Sequence, residues 1–303
     1  MRAEACNEPL AMNEGKGART ALSPSFGYAR ERIARTGLSA LRRGWGMSIG
    51  LMVCWGFVLG GQWAGRAAEV AEPGVTYRSF AMRIYSEEQV RYRKDPTNAE
   101  AAWQFARACF EAGEFATNSA ERSTIAEQGI AASRQVLARD RNSAAGHYYL
   151  GINLGQLART RGLSALKLVD QMEYEFSLAR DLDETIDYGG PDRNLGILYY
   201  EAPSFASIGS RSKARQHFQR AAELAPDYPE NQLNLIEAYL KWHEHNGAVR
   251  HLKILEERWA SARAKLAGPS WAANWADWKL RLQSAQKKIE EPSKALESPR
   301  GKE

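Results

Sequence analysis

From Tyr77 onward, apolar side chains recur at steps of three and four, the spacing that lines them along one stripe of a helix. The first such stretch, residues 78–93, is amphipathic and is stopped by Lys94-Asp95-Pro96, because proline lacks the N–H that a helix interior needs. Four longer stretches follow at 98–140, 143–183, 189–225 and 229–258, each long enough for two helices and a turn. A last stripe (Trp271, Trp275, Trp278, Leu282, Ala285 and Ile289) alternates steps of four and three and predicts a helix over 270–290. Beyond the first 67 residues no alternating strand pattern appears, so the pattern predicts an all-α chain.

The stretches resemble one another. Residues 210–226 read SRSKARQHFQRAAELAP, with Ala214, Phe218 and Ala221 followed by Pro226. In a helical hairpin, small residues let two helices approach, the aromatic ring fills the gap, and proline ends the second helix. This A-x3-F-x2-A-x4-P string is the second-helix signature of a tetratricopeptide repeat. First helices register on Leu195-Gly196 with Tyr199 and on Leu150-Gly151 with Leu154. Trp103, Ala106 and Phe110 supply these positions in the first unit, with Arg107 where a small residue is usual; Leu235, Ile236 and Tyr239 supply them in the fourth. Equivalent positions lie 44, 45 and 40 residues apart, against about 34 in the common repeat. Either the second helices or the turns before them must therefore be extended. The chain reads as an α-solenoid of about four tetratricopeptide-like helix pairs with an entry helix and a C-terminal capping helix, over residues 78–290. Residues 291–303, rich in proline, serine and charge, read as a disordered tail.

Charge changes the picture only once it is divided. The net charge of +5 suggests a nucleic-acid partner, but residues 1–66 hold 9 basic and 4 acidic residues. Of the totals of 41 and 36, residues 67–303 keep 32 of each sign, so the folded part has no bulk attraction for a phosphate backbone. The excess belongs to a leader, residues 1–67. Residues 46–61 (GMSIGLMVCWGFVLGG) are an apolar run behind Arg42 and Arg43, and Gly65-Arg66-Ala67 offers small residues for cleavage before Ala68. This reads as a signal peptide; uncleaved, the run is long enough to serve as an N-terminal anchor. Leu51-Met52-Val53-Cys54 resembles a lipoprotein box, although Val53 is bulky for that processing site. The stretch before Arg42 exceeds an ordinary n-region, which leaves the start of translation open; a start at Met47 would delete both arginines. Cys6 and Cys54 lie in the leader, so Cys109 is the one thiol of the body and reads as a packed, inert side chain.

With this register, residues 98–257 resemble the T-component family of TRAP-type solute uptake systems, tetratricopeptide proteins of the periplasm or outer membrane. The resemblance is carried by His147-Tyr148-Tyr149-Leu150-Gly151, by the strip from Leu163 to Asp183, and by Gly189-Gly190-Pro191-Asp192-Arg193 before Leu195-Gly196. Glu201-Ala202-Pro203 and the string from Ala214 to Pro226 complete it, while Ser207-Ile208-Gly209-Ser210 stands where that family carries glycines and an acid. More loosely, the chain resembles the regulator-of-microtubule-dynamics family, best at Trp103 to Cys109. The first resemblance implies a helical shell that meets a periplasmic solute-binding protein and can shelter a small ligand.

In a solenoid of this kind the first helices line the concave, partner-binding face. The register places Gln104, Tyr148, Gln156, Arg193, Tyr200, Glu201, Glu237 and Lys241 inward, and these are the candidate binding residues. The glycine-rich segment 189–193 lacks both a preceding strand and a Gly-Lys-Ser/Thr, so it reads as a turn with Pro191 at the first helical position and Asp192 on the helix dipole. His147, His217, His243, His245 and His251 show no metal-ligand spacing and read as solvated or capping. Asp170, Glu173 and Glu175 read as a solvated helix face. No nucleophile–base pairing is signalled; the sequence predicts a non-enzymatic, exported adaptor without cofactor or metal, with a small-molecule carrier as the alternative. The membrane is reached only through the N-terminal segment if it stays uncleaved, and oligomeric state is left open. N-terminal sequencing of the envelope-fraction protein is expected to begin at Ala68; a lipid-modified start at Cys54 or an intact cytoplasmic chain would refute the leader reading.

Overall fold

The computed structural model describes residues 77–204 and 207–297; the leader predicted over 1–67 lies outside them. Ten α-helices run through the described residues: α1 (Tyr77–Lys94), α2 (Ala99–Glu114), α3 (Ser119–Arg139), α4 (Ala144–Ala158), α5 (Leu166–Leu182), α6 (Ile186–Glu201), α7 (Arg211–Leu224), α8 (Pro229–Lys241), α9 (His245–Lys265) and α10 (Ala272–Glu297). The helix pairs are α2/α3, α4/α5, α6/α7 and α8/α9, and α1 packs on α2. First helices α2, α4, α6 and α8 form a row that α10 continues by packing on α8. The architecture is the predicted α-solenoid.

Local chemistry explains where each pair begins. Asp95 Oδ1 accepts from the Thr97 N–H at 3.0 Å, Asp140 Oδ1 from Asn142 at 2.9 Å and Asp183 Oδ1 from Thr185 at 2.9 Å, so the same aspartate turn precedes three successive first helices. Side chains of Asn98, Asn118, Ser143 and Ser210 then accept from backbone N–H groups in the opening turns of α2, α3, α4 and α7.

The long repeat spacing has a separate cause in each unit. In the first, α3 reaches 21 residues. In the second, a 3₁₀ turn over Gly162–Ala165 precedes α5. In the third, the connection from α6 to α7 spans residues 202–210. Two boundaries run past their expected ends. Buried Ala262 and Leu266 extend α9 to Lys265, beyond residue 258. The last helix continues to Glu297, so the first part of the segment expected as tail is helical.

Each central hairpin closes through one glycine and one ring. A Cβ on Gly151 would lie 2.5 Å from Phe176, and one on Gly196 would lie 2.4 Å from Phe218. Both rings are 1% exposed. The Leu-Gly pairs are thus where a first helix lets the aromatic plug of its second helix reach the backbone. Cys109 is fully buried on the same core, and burial pushes its thiol up, out of the reactive range.

Phe218→Ala is expected to cost about 3–5 kcal/mol, because the ring leaves a cavity that helix backbones cannot close. Gly196→Ala should also destabilise, and Gly196→Ala combined with Phe218→Leu should recover part of that loss. Thermal melts of these proteins together with the Phe218→Leu single variant check it; additive effects would mean that the two residues do not meet.

Candidate functional site

The segment before the third first helix has an uncommon backbone. Asp187 (φ 49°, ψ 46°), Tyr188 (φ 59°, ψ 47°) and Gly189 (φ 76°, ψ 31°) are successively left-handed, and only then does α6 turn right-handed around Pro191. The left-handed region costs an ordinary L-residue roughly 1–2 kcal/mol. Gly189 avoids that cost. Asp187 and Tyr188 bear it, and their interactions offset it.

The turn aims the Asp187 carboxylate into the protein, where it is fully buried. Arg193 Nη2 donates to Asp187 Oδ2 at 2.5 Å, and the Tyr148 hydroxyl donates to the same oxygen. Arg193 Nη1 reaches the Tyr188 carbonyl at 3.2 Å and Asn231 Oδ1 at 3.3 Å, and its guanidinium lies 4.9 Å above the Tyr228 ring. Asn194 Nδ2 donates to the Tyr148 oxygen at 3.2 Å. Gly190 is required because a Cβ there would sit 2.6 Å from that hydroxyl oxygen. Burial, reinforced by Asp187, holds the Tyr148 phenol well above its ordinary value. Burial alone would weaken the Arg193 cation, but Asp187 together with Tyr148, Tyr228 and Glu230 outweighs it and keeps the guanidinium charged.

Around this cluster lies a run of rings and charges. Trp103 stacks on Tyr149 with centroids 5.7 Å apart, and Arg107 Nε pairs with Glu111 at 2.9 Å on α2. Burial pushes the Glu111 carboxyl up despite Arg107 beside it. Tyr188 stacks on Tyr228 at 4.7 Å and meets Trp271 edge-on at 5.9 Å. At the far end, Arg281 of α10 donates to Glu230 (2.8 Å), Glu237 (2.7 Å) and Asn234 (2.9 Å), and Trp278 Nε1 donates to Glu230 at 2.9 Å. Burial pushes nearby Asp277 up to about 7 against the pull of Arg281, with Glu230 and Glu237 adding repulsion.

The eight sequence candidates therefore divide. Tyr148 and Arg193 do come together, but as buried members of one cluster rather than on an open surface. Gln156 is buried as well, between Glu114 and Arg159. These three placements correct the expectation of a concave lining, because groups of neighbouring first helices meet and cover one another at those positions. Glu237 is half-buried and accepts from Arg281, so the capping helix covers it. Gln104 is half-buried and donates to Glu100 at 3.1 Å along its own helix. Tyr200 and Glu201 remain half-buried, Lys241 is exposed, and Lys241 Nζ stands 3.8 Å over the Tyr200 ring. Trp242 meets Tyr200 edge-on at 6.0 Å, with the Arg211 and Arg215 guanidiniums each 5.2 Å from its ring centre.

Several groups escaped the sequence reading. Asp187, Asn194 and Asn231 carry the polar interior, and the signal was a carboxylate two residues before a Gly-Gly-Pro. Glu175, expected in solvent, is 6% exposed and lies 2.6 Å from His147 Nδ1. His217 meets Asp192 at 2.7 Å and His251 meets Gln232 at 2.9 Å, so three histidines bridge helices instead of facing water. Glu173 accepts from Tyr199 and is part of another helix-to-helix contact.

The family model described as Regulator of microtubule dynamics protein 1-3 matches residues 74–177. A thermophilic TPR protein of Thermus thermophilus superposes with a TM-score of 0.50 at 18% identity, over 68% of this chain and 93% of that one. MamA superposes with a TM-score of 0.42 at 14% identity, over 62% of this chain and 97% of that one. No curated protein sequence matches. The fold is tetratricopeptide-like.

Arg193→Ala is expected to destabilise the chain by about 3–5 kcal/mol, since it strands the Asp187 charge in the interior. Arg193→Met with Asp187→Asn, which removes both charges and keeps a side chain tolerant of the left-handed turn, should cost clearly less. Urea unfolding of both variants decides this. Equal losses would mean that the cost lies in lost packing rather than in a stranded charge.

Proposed function

We propose that the chain is a non-enzymatic, exported tetratricopeptide adaptor that binds a partner protein, and that it serves a periplasmic solute-uptake assembly of the TRAP type. The observation that carries this reading is the half-exposed set where the third and fourth first helices end. Tyr200 and Trp242 stand edge to face there, Lys241 sits over Tyr200, and Arg211 and Arg215 lie against Trp242. Rigid rings and cations held on their faces are the side chains that dominate binding energy at protein contacts, because little freedom is lost when a partner covers them. The leader read in residues 1–67 supports export, and the resemblance of residues 98–257 to the T-component pattern supports a solute-binding protein as partner.

A second reading is a carrier of a small molecule, favoured by the ion pair of Arg107 with Glu111 next to the stacked Trp103 and Tyr149. Both charged groups are mostly enclosed yet keep an edge toward solvent, with side-chain exposures of 11% and 19%.

Affinity capture from envelope extract separates the two. The wild type and an Arg220→Ala control on a second helix should both retain a solute-binding protein. Tyr200→Ala with Lys241→Ala should retain roughly tenfold less, as expected for the loss of central contacts. Equal capture by all three would refute the docking surface, and a small molecule co-purifying with every variant would favour the carrier.

A further inference from the structure

The cations of α7 outnumber the acids that meet them. Between Ala202 and Ala222 the chain carries Arg211, Lys213, Arg215 and Arg220 and neither aspartate nor glutamate. Two of these cations have an acid each on the α5 side: Arg220 pairs with Glu184 at 2.7 Å, and Lys213 lies 3.8 Å from Glu173. Arg211 and Arg215, one turn apart on the other side, both donate through Nη2 to a single oxygen, Oε1 of Glu244. A guanidinium has several N–H donors in a fixed fork, so one shared oxygen uses a small part of what this pair can give. Their side chains are 51% and 35% exposed, within reach of a partner. The first turn of α7 holds no acid, so the helix dipole adds to the same positive sign.

The backbone brings rings to the same place. The Ser210 N–H donates to the Tyr199 carbonyl at 2.9 Å, which closes the connection from α6 and sets Arg211 beside the end of that helix. After α8 the Glu244 N–H donates to the Tyr239 carbonyl at 2.9 Å across a left-handed His243, φ 59°. A histidine is uncommon in that conformation, and the turn it makes holds Trp242 and Glu244 on either side of it. Trp242 then lies between the two arginines and Tyr200, and Lys241 covers the Tyr200 face.

A second cluster shows what the rings add. Arg258 and Lys265 also share one carboxylate, that of Asp227, but the neighbouring ring of Tyr228 is 1% exposed and offers a partner nothing to cover. At Glu244 both rings are half-buried.

We propose that the occupant of this surface is an acidic segment of the partner protein, with aspartates or glutamates on both sides of an apolar side chain. The apolar residue covers the open edges of Tyr200 and Trp242. One carboxylate enters the fork of Arg211 and Arg215, and another meets Lys241. Covering the rings also drives water from the cations, which strengthens each charge contact. The segment's place rests on the docking surface proposed above; its charge pattern is the new element. An anionic membrane is the poorer fit, because the ring faces are already taken by their own cations and have no apolar surface to insert.

Fluorescence anisotropy of the full-length chain with two labelled synthetic peptides tests this. One peptide carries aspartates and glutamates around a central leucine, and the other replaces every acid by its amide. The wild type should bind the acidic peptide about tenfold or more tightly than the amide peptide. That preference should shrink as salt rises from about 0.05 to about 0.5 M. Arg211→Gln with Arg215→Gln should lower the acidic peptide to the amide level, whereas Arg258→Gln with Lys265→Gln, at the Asp227 cluster, should leave it unchanged. Equal binding of the two peptides by the wild type, a comparison that needs no variant, overturns the proposal. If Tyr200→Ala with Lys241→Ala then weakens both peptides alike, the docking surface stands with a partner of other chemistry. Equal losses in the two arginine-containing variants would reduce the effect to overall charge and overturn it. So would binding of neither peptide, or binding of phosphatidylglycerol vesicles through Arg211 and Arg215 in the peptide's stead.

Discussion

Burying a carboxylate costs several kcal/mol unless a cation and further donors reach it, and the turn that starts α6 puts Asp187 inside the protein. Everything near the middle of the solenoid follows from meeting that requirement. Arg193 supplies the cation, Tyr148 supplies a hydroxyl from the preceding unit, and Asn231 with Tyr228 holds the other side of the guanidinium from the following unit. Gly190 must be bare so that Tyr148 can pass, and Gly189 must be glycine-like in backbone so that the turn can form. A short motif that reads as a turn in sequence is thus also the place where three first helices are fastened together.

The repeats were legible because they rest on short-range rules. Ala214, Phe218 and Ala221 report a helix–helix contact by their spacing alone, and the Leu-Gly pairs report where a ring meets a backbone. At the end of α9 the boundary was missed because burial outlasts the pattern. The interior polar groups were not legible. Periodicity fixes the side of a helix on which Arg193 or Tyr148 stands, but whether that side opens to solvent depends on the curvature of the whole row. Glu175 shows the same limit: its place on α5 is right for a solvated face, and a histidine from the neighbouring helix makes it buried.

The comparison among repeats shows how one position can be used in different ways. His147 with Glu175, Asp192 with His217, and Gln232 with His251 place an imidazole and an oxygen acceptor across the same gap, with the donor and acceptor helices exchanged between the second and third units. What is held constant is a directional bond between the two helices of a pair, rather than any one residue. Apolar packing sets how close the helices come; these bonds set how they are rotated. A binding face such as that of half-buried Tyr200 and exposed Lys241 depends on that rotation, since the ring and the cation stand on different helices.

Linear repeat arrays usually behave as chains of near-neighbour couplings, so that end units can melt or be duplicated while the rest persists. In this array one buried charge pair on α6 serves both of its neighbours at once. Removing α4 or α8 would deprive Asp187 or Arg193 of a partner on the next first helix in the row, so the second, third and fourth units are coupled through one buried charge pair. Insertion or deletion of a whole repeat between α4 and α8, the usual route by which solenoids change length, would therefore part a buried charge from its partner.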